Sequence, residues 1–266
     1  MLLTSSCSHA LELAAAVINF LPGDEVIIPA YNFVTGASSF VLKGAHVVWA
    51  DSCNEHPNML LSELDRLWTP KTKAVVIMHY GGCDVGWKGV RRWCDERGII
   101  LVEDVAHGYG ASDSYGRALG SYGHMSAFSF HDSKNITCGE GGALAINDVR
   151  FLDRARILYD KGTNRALFQA GKTTHYEWCD LGASYTLAEL NAAFLWAQLQ
   201  YALSWTESRR TAWQYYANQL TKNAVFTPLL VQCNGHNAHN FCITVSSYEY
   251  GKALLQHLHQ EGFQVL

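Results

Sequence analysis

The 266-residue chain has no Cys-x-x-Cys pair, no Gly-x-Gly-x-x-Gly turn after its first apolar run, and no apolar stretch of membrane-spanning length. Nor does it carry a large excess of either charge: 20 basic against 24 acidic side chains leave a net charge of -4. Each absence excludes something. Eight scattered cysteines (Cys7, Cys53, Cys83, Cys94, Cys138, Cys179, Cys233, Cys242) in a chain long enough to bury its own core need neither disulfides nor a structural metal, and a reducing cytoplasm is the expected compartment. The missing glycine turn argues against a dinucleotide-binding sheet. The charge balance gives no footprint for nucleic acid or an anionic membrane. The apolar stretch from Leu11 to Leu21 is no signal-peptide core, because no basic residue precedes it and Glu12 interrupts it.

What is present alternates. Val26–Ile28, Val47–Trp49, Ala74–Met78 and Ile99–Val102 are short, apolar at consecutive positions and rich in β-branched residues, the pattern of parallel strands covered on both faces. Between them, Ala10-Ala14-Val17-Ile18-Leu21, Leu61-Leu64-Leu67-Trp68 and Val90-Trp93-Cys94 follow helical spacing, with Gly23 and Gly98 placed as helix stops. The repeat predicts a three-layer α/β/α wound, mostly parallel sheet. Further strands are expected at Met125–Phe130 and Ala143–Ile146, and further helices over 148–159 and 187–203. A strand at Phe241–Val245 and a helix at Lys252–Gln260 suggest two units: a large one over 1–224 and an incomplete small α+β one over 225–266. The last residues, Gly262–Leu266, read as a strand without its partner, as if the chain lacked material at that end and at its abrupt start.

In a wound sheet, ligands bind beyond the carboxyl ends of the strands. Tyr31 and Phe33, His79 and Tyr80, Glu103, Asp104 and His107, then Ser129, His131 and Lys134 all follow apolar runs. Singly, each has a plain structural reading: Asp104 as a helix cap, Lys134 as a solvated amine, Phe33 as core, and Ser5, Ser6 and Ser8 as N-caps. Together they offer an amine, a carboxylate, an aromatic lid and a helix start able to take a phosphate. Those are the needs of pyridoxal phosphate, whose ring nitrogen is kept protonated by a carboxylate while a lysine forms an imine with its aldehyde.

The motifs Thr4-Ser5-Ser6-Cys7-Ser8-His9-Ala10-Leu11-Glu12, Pro22-Gly23-Asp24-Glu25-Val26-Ile27-Ile28-Pro29-Ala30-Tyr31-Asn32-Phe33-Val34, Val102-Glu103-Asp104-Val105-Ala106-His107, Phe128-Ser129-Phe130-His131-Asp132-Ser133-Lys134 and Gly139-Glu140-Gly141-Gly142 resemble the DegT/DnrJ/EryC1/StrS sugar aminotransferases. That resemblance implies the fold type I architecture of pyridoxal-phosphate-dependent transferases. Within the family, Lys161–Arg165, Tyr176–Tyr185 and Ala197-Gln198-Leu199 are most similar to dTDP-4-amino-4,6-dideoxygalactose transaminases. It implies Lys134 as the imine-forming lysine, Asp104 on the pyridine nitrogen, His107 on the ring oxygen and Phe33 stacked on the ring. Cys7, Ser8 and Ser129 would hold the phosphate, and Ser184 would reach the phosphate of a neighbouring subunit in a homodimer. The sugar nucleotide would lie toward His79, Tyr80 and the 161–165 loop, where Lys161 or Arg165 would meet a diphosphate or the donor's carboxylate, the plain alternative being that both only cap a helix end. Where many relatives have Gly-Thr this chain has Cys7-Ser8, and Ser184 stands where they have Asn. The implied reaction moves an amine from glutamate to a dTDP-linked 4-keto-6-deoxyhexose, for surface polysaccharides such as O-antigen, lipopolysaccharide or enterobacterial common antigen. A shortened chain that holds the cofactor without turnover is the alternative. A sugar dehydratase of the same family is disfavoured by Lys134, where those enzymes carry histidine.

Overall fold

In the computed structural model, residues 1–53, 56–84, 86–222, 227–229 and 235–265 are described. The chain order is β1 (Leu2–Thr4), α1 (Cys7–Ile18), β2 (Glu25–Pro29), α2 (Thr35–Val41), β3 (His46–Ala50), α3 (Leu61–Leu67), β4 (Thr72–Met78), α4 (Trp87–Arg97), β5 (Ile100–Val105), β6 (Met125–Ser129) and β7 (Gly142–Ile146). There follow α5 (Leu152–Tyr159), α6 (Arg165–Gln169), α7 (Glu189–Leu199), α8 (Ala202–Leu220), β8 (Thr227–Leu229), β9 (Cys242–Thr244) and α9 (Tyr248–Gln260).

The first seven strands form one sheet in the order β1-β7-β6-β5-β4-β2-β3. Pairing is parallel from β3 through β6, and β7 and β1 add to that edge antiparallel. Because side chains alternate along a strand, each strand feeds two cores. Val26, Ile28, Val76, Val102 and Leu144 pack under α1, α2 and α5, whereas Ile27, Val75, Ile77, Leu101 and Val105 pack with Leu64, Trp93 and Leu195 of α3, α4 and α7. This is the wound three-layer sheet expected from the apolar runs. Among the described residues no helix is long and apolar enough to cross a membrane.

Several local expectations are corrected. Helix α1 stops at Ile18 because Asn19 takes the left-handed conformation at φ 61°, which asparagine tolerates. Gly23 (φ 94°) instead serves the turn into β2. Gly98 does end α4, at φ 65°. The helical region over 187–203 is broken after Leu199, and a second helix continues to Leu220. Residues 263–265 form no strand, and among the described residues no backbone pairs with them as a ladder; the side chain of His259 meets the carbonyl of Val265 at 2.9 Å instead. The expected boundary between 224 and 225 lies outside the described residues. Around it, Trp213 and Ala217 of α8 pack against Ala238 and Phe241, and β8 pairs with β9.

One glycine sets the geometry of the sheet edge. A Cβ on Gly142 would lie 2.4–2.5 Å from backbone atoms of Ser6 and Cys7, so β7 can touch the start of α1 only without a side chain. Gly142→Ala should destabilise the fold by about 1–3 kcal/mol, the usual cost of overpacking, read as a lower urea midpoint with an unchanged slope.

Candidate active site

Glu103 and Asp104 are neighbours on β5 and therefore point to opposite faces. Asp104 shares the face of α1. It is 3% exposed, and the N–H of Ala106 donates to its Oδ1 at 3.0 Å. Among the described residues no other donor reaches this carboxylate. Burial pushes its pKa up, partly offset by that N–H and by the charges of Lys134 and His79. Lys134, in the turn after β6, is half-buried; desolvation lowers its pKa, against the opposing pull of Cys7 and Asp104. Cys7 in turn feels both Asp104 and Lys134, and burial drives its thiol pKa well up. Amine, carboxylate and the first residue of α1 thus share one electrostatic environment.

The start of α1 is built to hold an anion. Ser6 is its N-cap and its hydroxyl accepts the N–H of His9 at 3.1 Å, while Thr4 Oγ1 donates to the carbonyl of Ser6. Among the described residues no acceptor is found for the N–H groups of Cys7 and Ser8, as expected for a first helical turn. Ser129, 6% exposed, sits on β6 opposite Gly142, the residue packed against Ser6 and Cys7. Free N–H donors, Ser129 and the helix dipole suit a phosphate. Ser8 donates its hydroxyl to Thr35 Oγ1 at 2.9 Å, a partner that the sequence pattern did not single out.

His107 is close enough to Lys134 for that charge to act on it. Its ring lies 5.0 Å from Tyr80, edge-on, and Tyr80 lies 5.1 Å from Tyr31. The N–H of Gly81 donates to His107 Nδ1 at 3.3 Å, so the ring proton of neutral His107 sits on Nε2. Burial, with the charges of His239 and Lys134, takes its pKa down to about 2. Phe33 is 70% exposed, so it is no core residue and its ring is open to cover a ligand.

Four expected residues sit elsewhere. His79 is not at the surface: it is fully buried, with Nε2 bonded to Glu103 Oε2 at 2.8 Å, because β4 turns it to the face opposite Asp104's side chain. A sugar nucleotide cannot reach it. Lys161 and Arg165 both pair with Asp160, at 2.8 and 3.5 Å. Ser184 is exposed and bridges Asp160 in an antiparallel contact. Among the described residues no hydrogen bond or ion pair joins these last three to Lys134 or Asp104.

The cysteines divide by environment. Cys179 is exposed, whereas burial pushes Cys94 up to about 12. Iodoacetamide at about pH 8 should therefore alkylate Cys179 at least ~10³-fold faster than Cys94 while the fold persists, as read by peptide mass spectrometry.

Known proteins resemble the chain over most of its length. The chain is 33% identical over 175 residues to a dTDP-4-dehydro-2,3,6-trideoxy-D-glucose 4-aminotransferase of Saccharopolyspora spinosa, covering 65% of this chain and 45% of that protein. It is 29% identical over 259 residues to a UDP-N-acetyl-3-dehydro-alpha-D-glucosamine 3-aminotransferase of Acidithiobacillus ferrooxidans, covering 97% of this chain and 67% of that one. The crystal structure of the aminotransferase TlmJ from Streptoalloteichus hindustanus superposes with a TM-score of 0.90 at 26% identity, covering 98% of this chain and 70% of that one. The chain spans less than half the length of several curated relatives that it matches, 43% for the GDP-perosamine synthase of Vibrio cholerae. The profile of the DegT/DnrJ/EryC1/StrS aminotransferases, enzymes that depend on pyridoxal phosphate, matches residues 1–265, and the chain belongs to that family.

Proposed function

We propose that this chain binds pyridoxal phosphate and carries the cofactor side of a nucleotide-sugar aminotransferase. The observation that carries the reading is the shared environment of Lys134, Asp104 and the first turn of α1. When bound, the cofactor supplies an electron sink for charge developing at the amino donor's α carbon. Asp104, through the carboxylate oxygen free of backbone donors, would hold the proton on the ring nitrogen. Nε2–H of His107 would donate to the ring oxygen, Phe33 would cover the ring, and Cys7, Ser8 and Ser129 would hold the phosphate. Lys134, its amine made less basic by burial, would take the proton from the donor's α carbon and deliver it to the cofactor's aldehyde carbon, which the amino nitrogen separates from that α carbon.

The finer reading is glutamate as donor and dTDP-4-dehydro-6-deoxy-D-glucose as acceptor, giving dTDP-4-amino-4,6-dideoxy-D-galactose for surface polysaccharide synthesis in the cytoplasm. Its support is the similarity of residues 161–165 and 176–185 to such transaminases, and the kinship with a protein named for a dTDP-linked 4-keto-sugar. Tyr80 would lie along the sugar. The unit from 225 onward would close the substrate side, and a second subunit would bring Ser184, Lys161 and Arg165 to the phosphates. Exposed Trp196, Phe194, Leu190 and Leu203 on α7 and α8 are consistent with a homodimer.

Titration with pyridoxal phosphate tests the reading. A visible band should form and then bleach on adding glutamate; a chain that develops no band does not hold the cofactor in this way, and a band indifferent to glutamate marks a binding protein without turnover.

A further inference from the structure

The segment 235–240 is held against His107, Tyr109 and Asn135 by bonds that fix both orientation and proton positions. Asn237 is 1% exposed, and its Nδ2 donates to the carbonyls of His107 and Tyr109 at 2.7 and 2.8 Å. Its Oδ1 therefore accepts, taking the N–H of His239 at 3.1 Å. That oxygen also occupies the space where Gly82 has only hydrogen, since a Cβ there would come within 2.1 Å of it. Asn135, the residue after Lys134, donates Nδ2 to the carbonyl of Asn237 at 3.0 Å. Its Oδ1 lies 3.0 Å from His239 Nδ1.

These contacts determine a tautomer. Flipping the Asn135 amide would set carbonyl oxygen against carbonyl oxygen, so its Oδ1 is an acceptor and His239 Nδ1 must carry the ring proton. His239 Nε2 is then a bare lone pair. The ring stacks on His107 at 4.1 Å with 27° between the planes, and it is close enough to Lys134 for that charge to act on it. Burial, with Lys134 and Arg209, lowers the pKa of His239 to about 3, so both stacked rings stay neutral at physiological pH, with opposite tautomers. His107 presents a donor and His239 an acceptor, side by side.

We infer that His239 is a substrate-positioning residue whose bare Nε2 accepts a hydrogen bond from a hydroxyl group of the sugar. A neutral lone pair repels a carboxylate or a diphosphate and accepts from O–H. Of the two substrates in the proposed reaction, the sugar is the one that brings hydroxyls. This inference rests on that proposed function.

The ring ¹⁵N spectrum of the intact chain tests the tautomer without any ligand. Nδ1 of His239 should be protonated and Nε2 bare at neutral pH, and a proton on Nε2 overturns the inference. Two substitutions test the role. His239→Phe keeps a ring on His107 and removes the acceptor, whereas His239→Asn can still donate to Asn135 and present an oxygen. Loss of one neutral hydrogen bond predicts about tenfold weaker binding of dTDP-4-dehydro-6-deoxy-D-glucose to His239→Phe. The rate of band bleaching by glutamate should stay within about twofold, and His239→Asn should recover part of the sugar affinity. Equal slowing of both half-reactions in His239→Phe would assign the ring to Lys134 instead and overturn the proposal, as would sugar binding indifferent to the substitution. A chain with no Lys134-dependent band defeats the proposed function itself, an outcome separate from any of these.

Discussion

Lys134→Ala leaves a folded protein that develops no glutamate-sensitive visible band with pyridoxal phosphate, and its amino transfer falls by about 10⁴-fold or more. The side chain lies half-buried in the turn after β6, and among the described residues its amine makes no hydrogen bond or ion pair, so its removal costs little stability. What is lost is chemical. No other amine is placed by the described residues in the field of both Asp104 and Cys7. Lys134→Arg separates charge from proton transfer: it keeps a cation beside Asp104, but a guanidinium does not give up its proton near neutral pH. It should be as inactive as the alanine variant. Retention of a glutamate-sensitive band in Lys134→Ala would remove Lys134 from the reaction. Circular dichroism of both variants, unchanged from the parent, excludes unfolding as the cause.

How much of this was visible in the sequence depends on whether a residue's role is set by its own strand or by a distant segment. The apolar runs at 26–28, 47–49, 74–78 and 99–102 became β2 to β5, because burial on both faces leaves a signal in consecutive positions. Asp104, near the end of β5, and Lys134, after β6, come together for a related reason: the carboxyl ends of those two parallel strands share one edge. His79 follows a strand too, yet points away. Alternation places it on the face of Ile77 and Glu103, and counting parity from Val76 would have shown it. Strand β1 and helix α2 left little trace, one being three residues long and the other interrupted by Gly36, Ser38 and Ser39. His239 and Asn237 could not be read at all. Their partners, His107, Tyr109 and Asn135, stand more than 100 positions away, and no local period records such a contact.

Glu103→Gln should cost about 3–5 kcal/mol of stability, the range for breaking up a buried, hydrogen-bonded charged group. The carboxylate is fully buried and accepts at every side. His79 Nε2 and the N–H of Gly120 reach Oε2 at 2.8 and 2.9 Å, while the N–H groups of Tyr122 and Gly123 and the hydroxyl of Ser126 reach Oε1. An amide can satisfy one oxygen's worth of these donors. Its NH₂ must then face the N–H of Gly120, and a buried donor is left unpaired. The same geometry fixes the sign of the pH dependence. Burial raises the pKa of Glu103, but the hydrogen bond and charge of His79 and the N–H groups of Gly123 and Tyr122 outweigh it, so the folded value lies below the ordinary 4.5. A depressed carboxylate stabilises the fold fully above its unfolded pKa, and that contribution is lost as pH falls through the folded one. Asp104, raised by burial, works in the opposite sense, its contribution being lost as pH rises. Urea unfolding at stepped pH should therefore show the parent losing stability on acidification below about pH 4.5, with a shallower loss in Glu103→Gln. Parallel pH profiles for the two proteins would mean that Glu103 is not ionised in the folded state. A protonated Glu103, in place of a carboxylate, would then accept the bonds behind Asp104.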